Sequence, residues 1–170
     1  MSDTPPTPHD APHDTATTTP WERTRYNRLC VKSTLALLDR VPHSLIALLA
    51  RLGVAGIFWR SGQLKIDANW HITSSTLFLF QDEYKVPLLS PELAAHLATI
   101  GEHLFPIMLV LGLGARLGAA GMLFMTLVIQ TFVYPGNWPD HLMWASVLIY
   151  ILAKGPGVLS LDHLFARRFL

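Results

Sequence analysis

Residues 91–114, PELAAHLATIGEHLFPIMLVLGLG, are apolar enough to cross a bilayer, yet Glu102 and His103 stand near the middle of the run. The start of a helix is signalled by Ser90 as N-cap, Pro91 at the first helical position and Glu92 in the first turn. Gly112 and Gly114 mark its end. At about 1.5 Å per residue, roughly 22 residues give about 33 Å, enough for a hydrocarbon core of about 30 Å. The stretch therefore reads as a transmembrane helix. Ala94, Ala98 and Glu102 recur at steps of four, which puts the carboxylate on a face of small residues where another helix can approach. That face is expected to point into a bundle and away from lipid.

The composition agrees with this reading. The 170 residues are 51% hydrophobic and 15% charged, a balance unlike that of an ordinary soluble domain. The net charge of +1 hides an asymmetry: Arg23, Arg25, Arg28, Lys32 and Arg40 precede the first apolar span, and Lys154, Arg167 and Arg168 follow the last. Clustering of that kind points to membrane orientation and not to nucleic-acid binding. Cys30 is the single cysteine, which excludes a disulfide framework, a CxxC pair and a thiolate metal cluster. Dithiol-to-quinone chemistry within this chain is excluded with them.

Working outward, residues 1–20 are rich in Pro, Thr, His and Asp and read as a disordered tail. No basic region followed by an apolar one occurs there, which argues against a cleaved signal, and His9 and His13 read as solvated. Residues 21–43 mix five basic side chains with Leu29, Val31, Leu35, Leu37 and Leu38, as a helix lying on an anionic leaflet does; a partner protein would serve equally as the apolar phase. Residues 44–157 form the membrane domain, with spans at 44–62, 91–114, 117–134 and 141–154. Gly53 and Gly56 are expected to allow close helix contact, and residues 65–89 to form a short interfacial helix or re-entrant cap. Gly118, Met122, Thr126 and Gln130 make a small and polar seam on the third span. Residues 158–170 hold a final short amphipathic helix.

The expected fold is all-α, an integral membrane four-helix bundle with interfacial helices at the N-terminus, in the first outer loop and at the C-terminus. The basic residues near the termini outnumber Arg60, Lys65 and Lys85 on the other side, so both termini are expected in the cytoplasm. Trp59, Trp70, Tyr134, Trp138 and Trp144 gather at the opposite interface, in keeping with that topology.

A charge at mid-bilayer costs at least about 2.5–3.5 kcal/mol, and Arg does not readily lose its proton. Counted from the helix starts, Arg51 and Glu102 lie at similar depth, so an Arg51–Glu102 ion pair is expected. It serves either chemistry or helix register alone. His103 follows Glu102, and His96 lies seven residues earlier on nearly the same face as His103; either suits proton transfer or a bond to a quinone carbonyl, or a hydrogen bond within the bundle. Gln130 is expected to bridge helices, and His141 to reach the depth of His96. His96, His141 and a carboxylate do not form a recognised Zn or Cu ligand spacing, so no metal centre is expected.

These residues resemble the DoxX family of small four-helix membrane proteins. The likeness runs through Arg51-Leu-Gly53, Ser61-Gly62-Gln-Leu-Lys65, Glu83-Tyr-Lys-Val-Pro87, Glu102, Gly112-Leu-Gly-Ala-Arg116, Val128-Ile-Gln130 with Tyr134-Pro135, His141-Leu-Met-Trp144 and Gly155-Pro-Gly157-Val-Leu-Ser160-Leu-Asp162. The resemblance implies a bacterial cytoplasmic-membrane protein, described as an oxidoreductase component; some relatives belong to quinone-linked complexes and others accompany oxidative or copper stress. The expected function is a quinone-interacting or membrane-anchoring subunit of an oxidoreductase or a redox- or metal-stress complex. Arg51, Glu102 and His103 would act in catalysis, and His96, Gln130 and His141 would line a quinone cleft. A partner redox or stress-response protein must supply the electrons, because no flavin, haem or iron–sulfur fingerprint occurs in the chain. The alternative is a non-catalytic membrane scaffold that recruits a soluble partner. Self-association into a homo-oligomer fits either expectation.

Overall fold

The computed structural model describes Lys32 and residues 41–169, so the expected tail and most of the expected basic helix lie outside the described residues. Helix α1, His43–Gln63, follows Pro42 in extended conformation. It buries Ala47, Arg51, Val54, Ala55, Phe58 and Gly62, a stripe at steps of three and four. A tight turn follows, closed by pairing of Ile66 with Ile72. Thr73 then caps α2, Ser74–Leu79, by accepting from the Thr76 N–H. That helix runs into a π-helical turn, Phe80–Tyr84, which Lys85 stops in the left-handed region at φ 39°.

Helix α3, Pro91–Leu111, starts as its sequence predicts, with the Ser90 hydroxyl accepting from Leu93 N–H and Pro91 in the first turn. It ends at Gly112, φ 67°, whose N–H bonds the Leu109 carbonyl while Leu113 N–H bonds that of Met108. Pro106 sits buried inside the helix and supplies no N–H to the carbonyl of Glu102 four residues earlier. Helix α4, Ala115–Val128, continues into a second π-helical turn, Ile129–Val133. After a 3₁₀ turn at Pro135–Asn137 come α5, Trp138–Lys154, and α6, Leu161–Phe169. The described residues are helical and contain no strand.

Three helices are long and apolar enough to cross a membrane: His43–Gln63, Pro91–Leu111 and the combined Ala115–Val133. The fourth expected span, α5, has 17 residues, or about 26 Å at 1.5 Å per residue. Helix α1 packs against α3, α3 against α4 and α4 against α5, which also touches α1. The contact faces combine small and polar groups, Ala47, Ala55, Ala94, Ala95, Ala115, Ala119, Thr99 and Thr126, with the buried Phe58, Leu109, Met122, Leu148 and Ile151, whereas Leu49, Leu97, Ile100, Leu117, Phe124 and Leu142 are exposed. Small residues at helix contacts and an apolar outer surface are the arrangement expected where lipid is the solvent.

Gly53 and Gly56 face open space, so they do not bring helices together as expected. Gly62 does. A Cβ there would stand 2.7 Å from the His103 ring and 3.1 Å from the Glu102 Cβ. The ring has little room to retreat, because Trp59 packs against it with centroids 5.0 Å apart. Gly62→Ala should therefore destabilise the protein by about 1–3 kcal/mol through overpacking, while Gly53→Ala should stay within about 0.5 kcal/mol of wild type. Thermal unfolding in mild detergent checks both.

Candidate functional site

Helices α1 and α3 run antiparallel, with Arg51 level with Leu109 and Ser61 level with Glu102. Ten residues of helix, about 15 Å, separate those two levels. The expected Arg51–Glu102 pair therefore does not form. Depth counted from the helix starts misleads because α3 begins beside the α2 segment, beyond the end of α1.

The partner of Glu102 is Lys65. Its Nζ lies 2.9 Å from Oε1 and 2.7 Å from Oε2 of the carboxylate. Ser61 donates to Oε1 at 3.1 Å, and Lys65 in turn donates to the Ser61 hydroxyl at 3.0 Å. Ser61 and Lys65 stand four residues apart, on one face of the last turn of α1 and its cap. Glu102 is 3% exposed, and an ion lacking its counter-charge at such a place is expensive. Lys65, just past the end of α1, supplies that charge from the mouth of the helix pair.

His103, next on α3, approaches the Thr99 carbonyl with Nδ1 at 2.7 Å. A carbonyl only accepts, so Nδ1 carries the proton and Nε2 is left as an acceptor. Gln63 occupies that acceptor at 3.0 Å through its amide nitrogen, and Gln63 is exposed. The indoles of Trp59 and Trp70 flank the imidazole at centroid distances of 5.0 and 5.4 Å.

A second cluster lies where α4 meets α5. Gln130 donates its amide to the Pro135 carbonyl at 2.9 Å, which turns Oε1 toward His141 Nδ1 at 2.6 Å. His141 is thus also protonated at Nδ1, and its ring packs edge-on against Trp144. The expected bridging role of Gln130 is realised. The two π-helical turns meet nearby, where Tyr134 donates to the Tyr84 hydroxyl at 3.3 Å. Burial first, then the bond to Tyr134 and the charges of Glu83 and Glu102, hold the Tyr84 phenol above its ordinary range.

His96 joins neither cluster. It is exposed, and its Nδ1 bonds the Glu92 carbonyl of its own helix at 2.8 Å. Arg51 belongs to the other end of the helices, donating from Nη1 to the Leu109 carbonyl at 3.0 Å and from Nη2 to the Leu159 carbonyl. Among the described residues no group of His, Cys, Asp and Glu is arranged to hold a metal ion. Sequence reasoning missed Ser61, Gln63 and Lys65 as site residues, although the spacing of Ser61 and Lys65 was a usable signal. It also missed Asp162, whose carboxylate accepts from Gly114 N–H at 2.7 Å and Ala115 N–H at 3.0 Å and so caps α4.

The model of the DoxX family matches residues 46–135, a little over half of the chain. The chain belongs to the DoxX family. It is accordingly a membrane protein. The matched DoxX region runs from α1 through the second π-helical turn and holds Arg51, Ser61, Lys65, Glu102, His103 and Gln130, while His141 and Asp162 lie beyond it. No curated protein and no solved structure matches the chain.

Two predictions follow from the geometry of this DoxX site. Lys65→Gln leaves a buried carboxylate without its counter-charge and should cost roughly 3–5 kcal/mol, whereas Lys65→Gln/Glu102→Gln should regain most of that loss; a double-mutant cycle on thermal unfolding in detergent reads the difference, and additive losses would contradict it. Outside the spans, the His71 N–H and, less strongly, the Asn69 N–H hold Asp67 below the usual carboxylate range. A depressed folded pKa stabilises the turn above the unfolded value of about 3.9 and loses that effect as pH falls through the folded value. The protection of the Asn69 and His71 amides, taken relative to their intrinsic exchange rates, should fall only on acidification below about pH 4, and Asp67→Asn should abolish the dependence.

Proposed function

We propose that the chain is the membrane subunit of a bacterial inner-membrane oxidoreductase, in which Ser61, Lys65, Glu102 and His103 receive a quinone or hydroquinone headgroup and handle its protons. The observation that carries this reading is the fixed tautomer of His103. Its Nε2 is an acceptor, covered only by the exposed amide of Gln63, and stands one residue from a buried carboxylate. A hydroxyl donor arriving in place of Gln63 would find that acceptor between two indole rings. The residues therefore fit a hydroquinone.

A quinone bound there would take two electrons and two protons on conversion to hydroquinone, the electrons supplied by a flavin or metal centre on a partner protein. His103 Nε2 would exchange one of the two protons with the headgroup in its imidazolium form, and water at the open mouth would exchange the other. Glu102 stabilises the imidazolium so formed, and Lys65 with Ser61 holds the carboxylate in place. His141 and Gln130 line the neighbouring mouth; His96, bonded to its own helix, is left out of the cleft.

In this reading α5 is the fourth crossing and completes a four-helix bundle, its shortness matched by the aromatic Trp138 and Trp144 at one end and Lys154 at the other. At or beyond the ends of the spans, Arg116, Lys154, Arg167 and Arg168 share one end with Asp162, whereas Arg60, Lys65 and Lys85 share the other with Asp67, Asp82, Glu83, Glu92 and Asp140. The excess of basic residues supports placing the first end in the cytoplasm. The quinone site then faces outward. Helices α2 and α6 lie at the two interfaces, α6 presenting Arg167 and Arg168 beside exposed Leu164.

A non-catalytic scaffold is the second reading, favoured by the completeness of the Ser61–Lys65–Glu102 network, which would hold two helices together with no ligand at all. Reconstitution with a co-purifying redox partner separates the two. His103→Asn should lower quinone-dependent turnover by about 100-fold with assembly intact. Full turnover in a normally assembled Glu102→Gln/Lys65→Gln variant would exclude proton handling and leave the scaffold.

A further inference from the structure

At the end of the protein opposite to the Glu102 cluster, an open cavity of about 640 Å³ lies between the start of α1, the start of α4 and the segment joining α5 to α6. Its volume falls within the range of about 300–1,000 Å³ typical of small-molecule sites. Arg116 and Lys154 line it, both exposed and without an acidic partner among the described residues. Among those residues Asp162 is the single acidic one of the lining, and both its oxygens are taken by N–H groups at the start of α4. The described lining therefore offers two cations whose charge no described side chain neutralises. The Arg116 guanidinium lies beside Gly155, where a Cβ would stand 3.4 Å from Nη2.

The other side of the cavity is apolar. Leu117 and Val158 line it and are 68% and 54% exposed. A free phosphate ion would use the cations and leave this lip wet. A phosphate ester carrying acyl chains would use both. We propose that the cavity binds the headgroup of an anionic phospholipid, its phosphate held by Arg116 and Lys154 and its chains passing over Leu117 and Val158 into the bilayer. Basic hollows between membrane helices recognise phosphate headgroups by this combination of charge and apolar contact. The inference is independent of the quinone reading, because it requires only that the chain lie in a membrane.

The full chain, stripped of lipid in mild detergent, tests it by native mass spectrometry and thermal shift with phosphatidylglycerol, phosphatidylcholine or inorganic phosphate added. Phosphatidylglycerol should bind and stabilise, with at least about tenfold weaker binding by Arg116→Gln/Lys154→Gln and unchanged binding by Arg167→Gln/Arg168→Gln on α6. Equal losses in the two double variants would mean diffuse attraction to basic residues and overturn the cavity as the site. Equal stabilisation by inorganic phosphate would assign the cations to a free anion and overturn the lipid. Indistinguishable binding of the two lipids by wild type would overturn both. Should Arg116→Gln fail to fold, Lys154→Gln alone and the charge-preserving Arg116→Lys/Lys154→Arg are the comparison, the first expected to weaken binding and the second to keep it.

Discussion

Arg51 is completely buried, and its guanidinium must find acceptors where no water competes. The acceptors are backbone carbonyls, Leu109 near the end of α3 and Leu159 in the segment before α6. The Leu109 carbonyl, which also accepts from Gly112 N–H, lies at the negative end of the helix dipole, so a cation there is favourable. Through one side chain α1 is tied to α3 and to the far end of the chain. Gly112 follows from this contact, since a Cβ on it would stand 2.3 Å from Nη1 of Arg51. Asp162, which accepts from the start of α4 and whose own N–H bonds the Gly112 carbonyl at 2.9 Å, closes the same junction.

The opposite end of the helices solves the same problem with side chains. Glu102 is buried almost as fully as Arg51, but its partners are an ammonium and a hydroxyl, and Lys65 keeps 14% of its side chain exposed. The close approach that lets α1 deliver Ser61 and Lys65 depends on Gly62 lying against the His103 ring. Pro106 adds a local consequence, because the carbonyl of Glu102 loses the N–H it would otherwise bond. Two π-helical turns then bring Tyr84 and Tyr134 to the rim of the site. Such turns insert a residue into the helical repeat and re-aim the side chains that follow.

The positions of the helices were legible in the sequence because span length, capping residues and breakers are local signals. Ser90, Pro91 and Gly112 bounded α3 where the structure has it, and Ala94 and Glu102 indeed lie on a buried face. What was not legible is relative depth. Two antiparallel helices can slide by a turn or more without changing either pattern, and the ten-residue offset between Arg51 and Ser61 decided which cation Glu102 meets. Gly53 and Gly56 misled for a related reason: spacing shows that glycines share a region, and only packing shows which way they point. The π-helical turns left no mark in composition, since each is a one-residue accommodation to its neighbours.

The two buried charges differ in what they can do. Arg51 donates to carbonyls, which neither titrate nor exchange, and a guanidinium keeps its proton, so its contacts are the same before and after any reaction. Glu102 and His103 are bonded to Ser61, Lys65 and Gln63, side chains near the mouth that can turn to a ligand and back. Proton transfer requires groups whose two protonation states are both accommodated by movable partners. That requirement separates the rigid junction at Arg51 from the adaptable one at Glu102, and it favours the end of the helices where Arg51 is absent for the chemistry proposed for this protein.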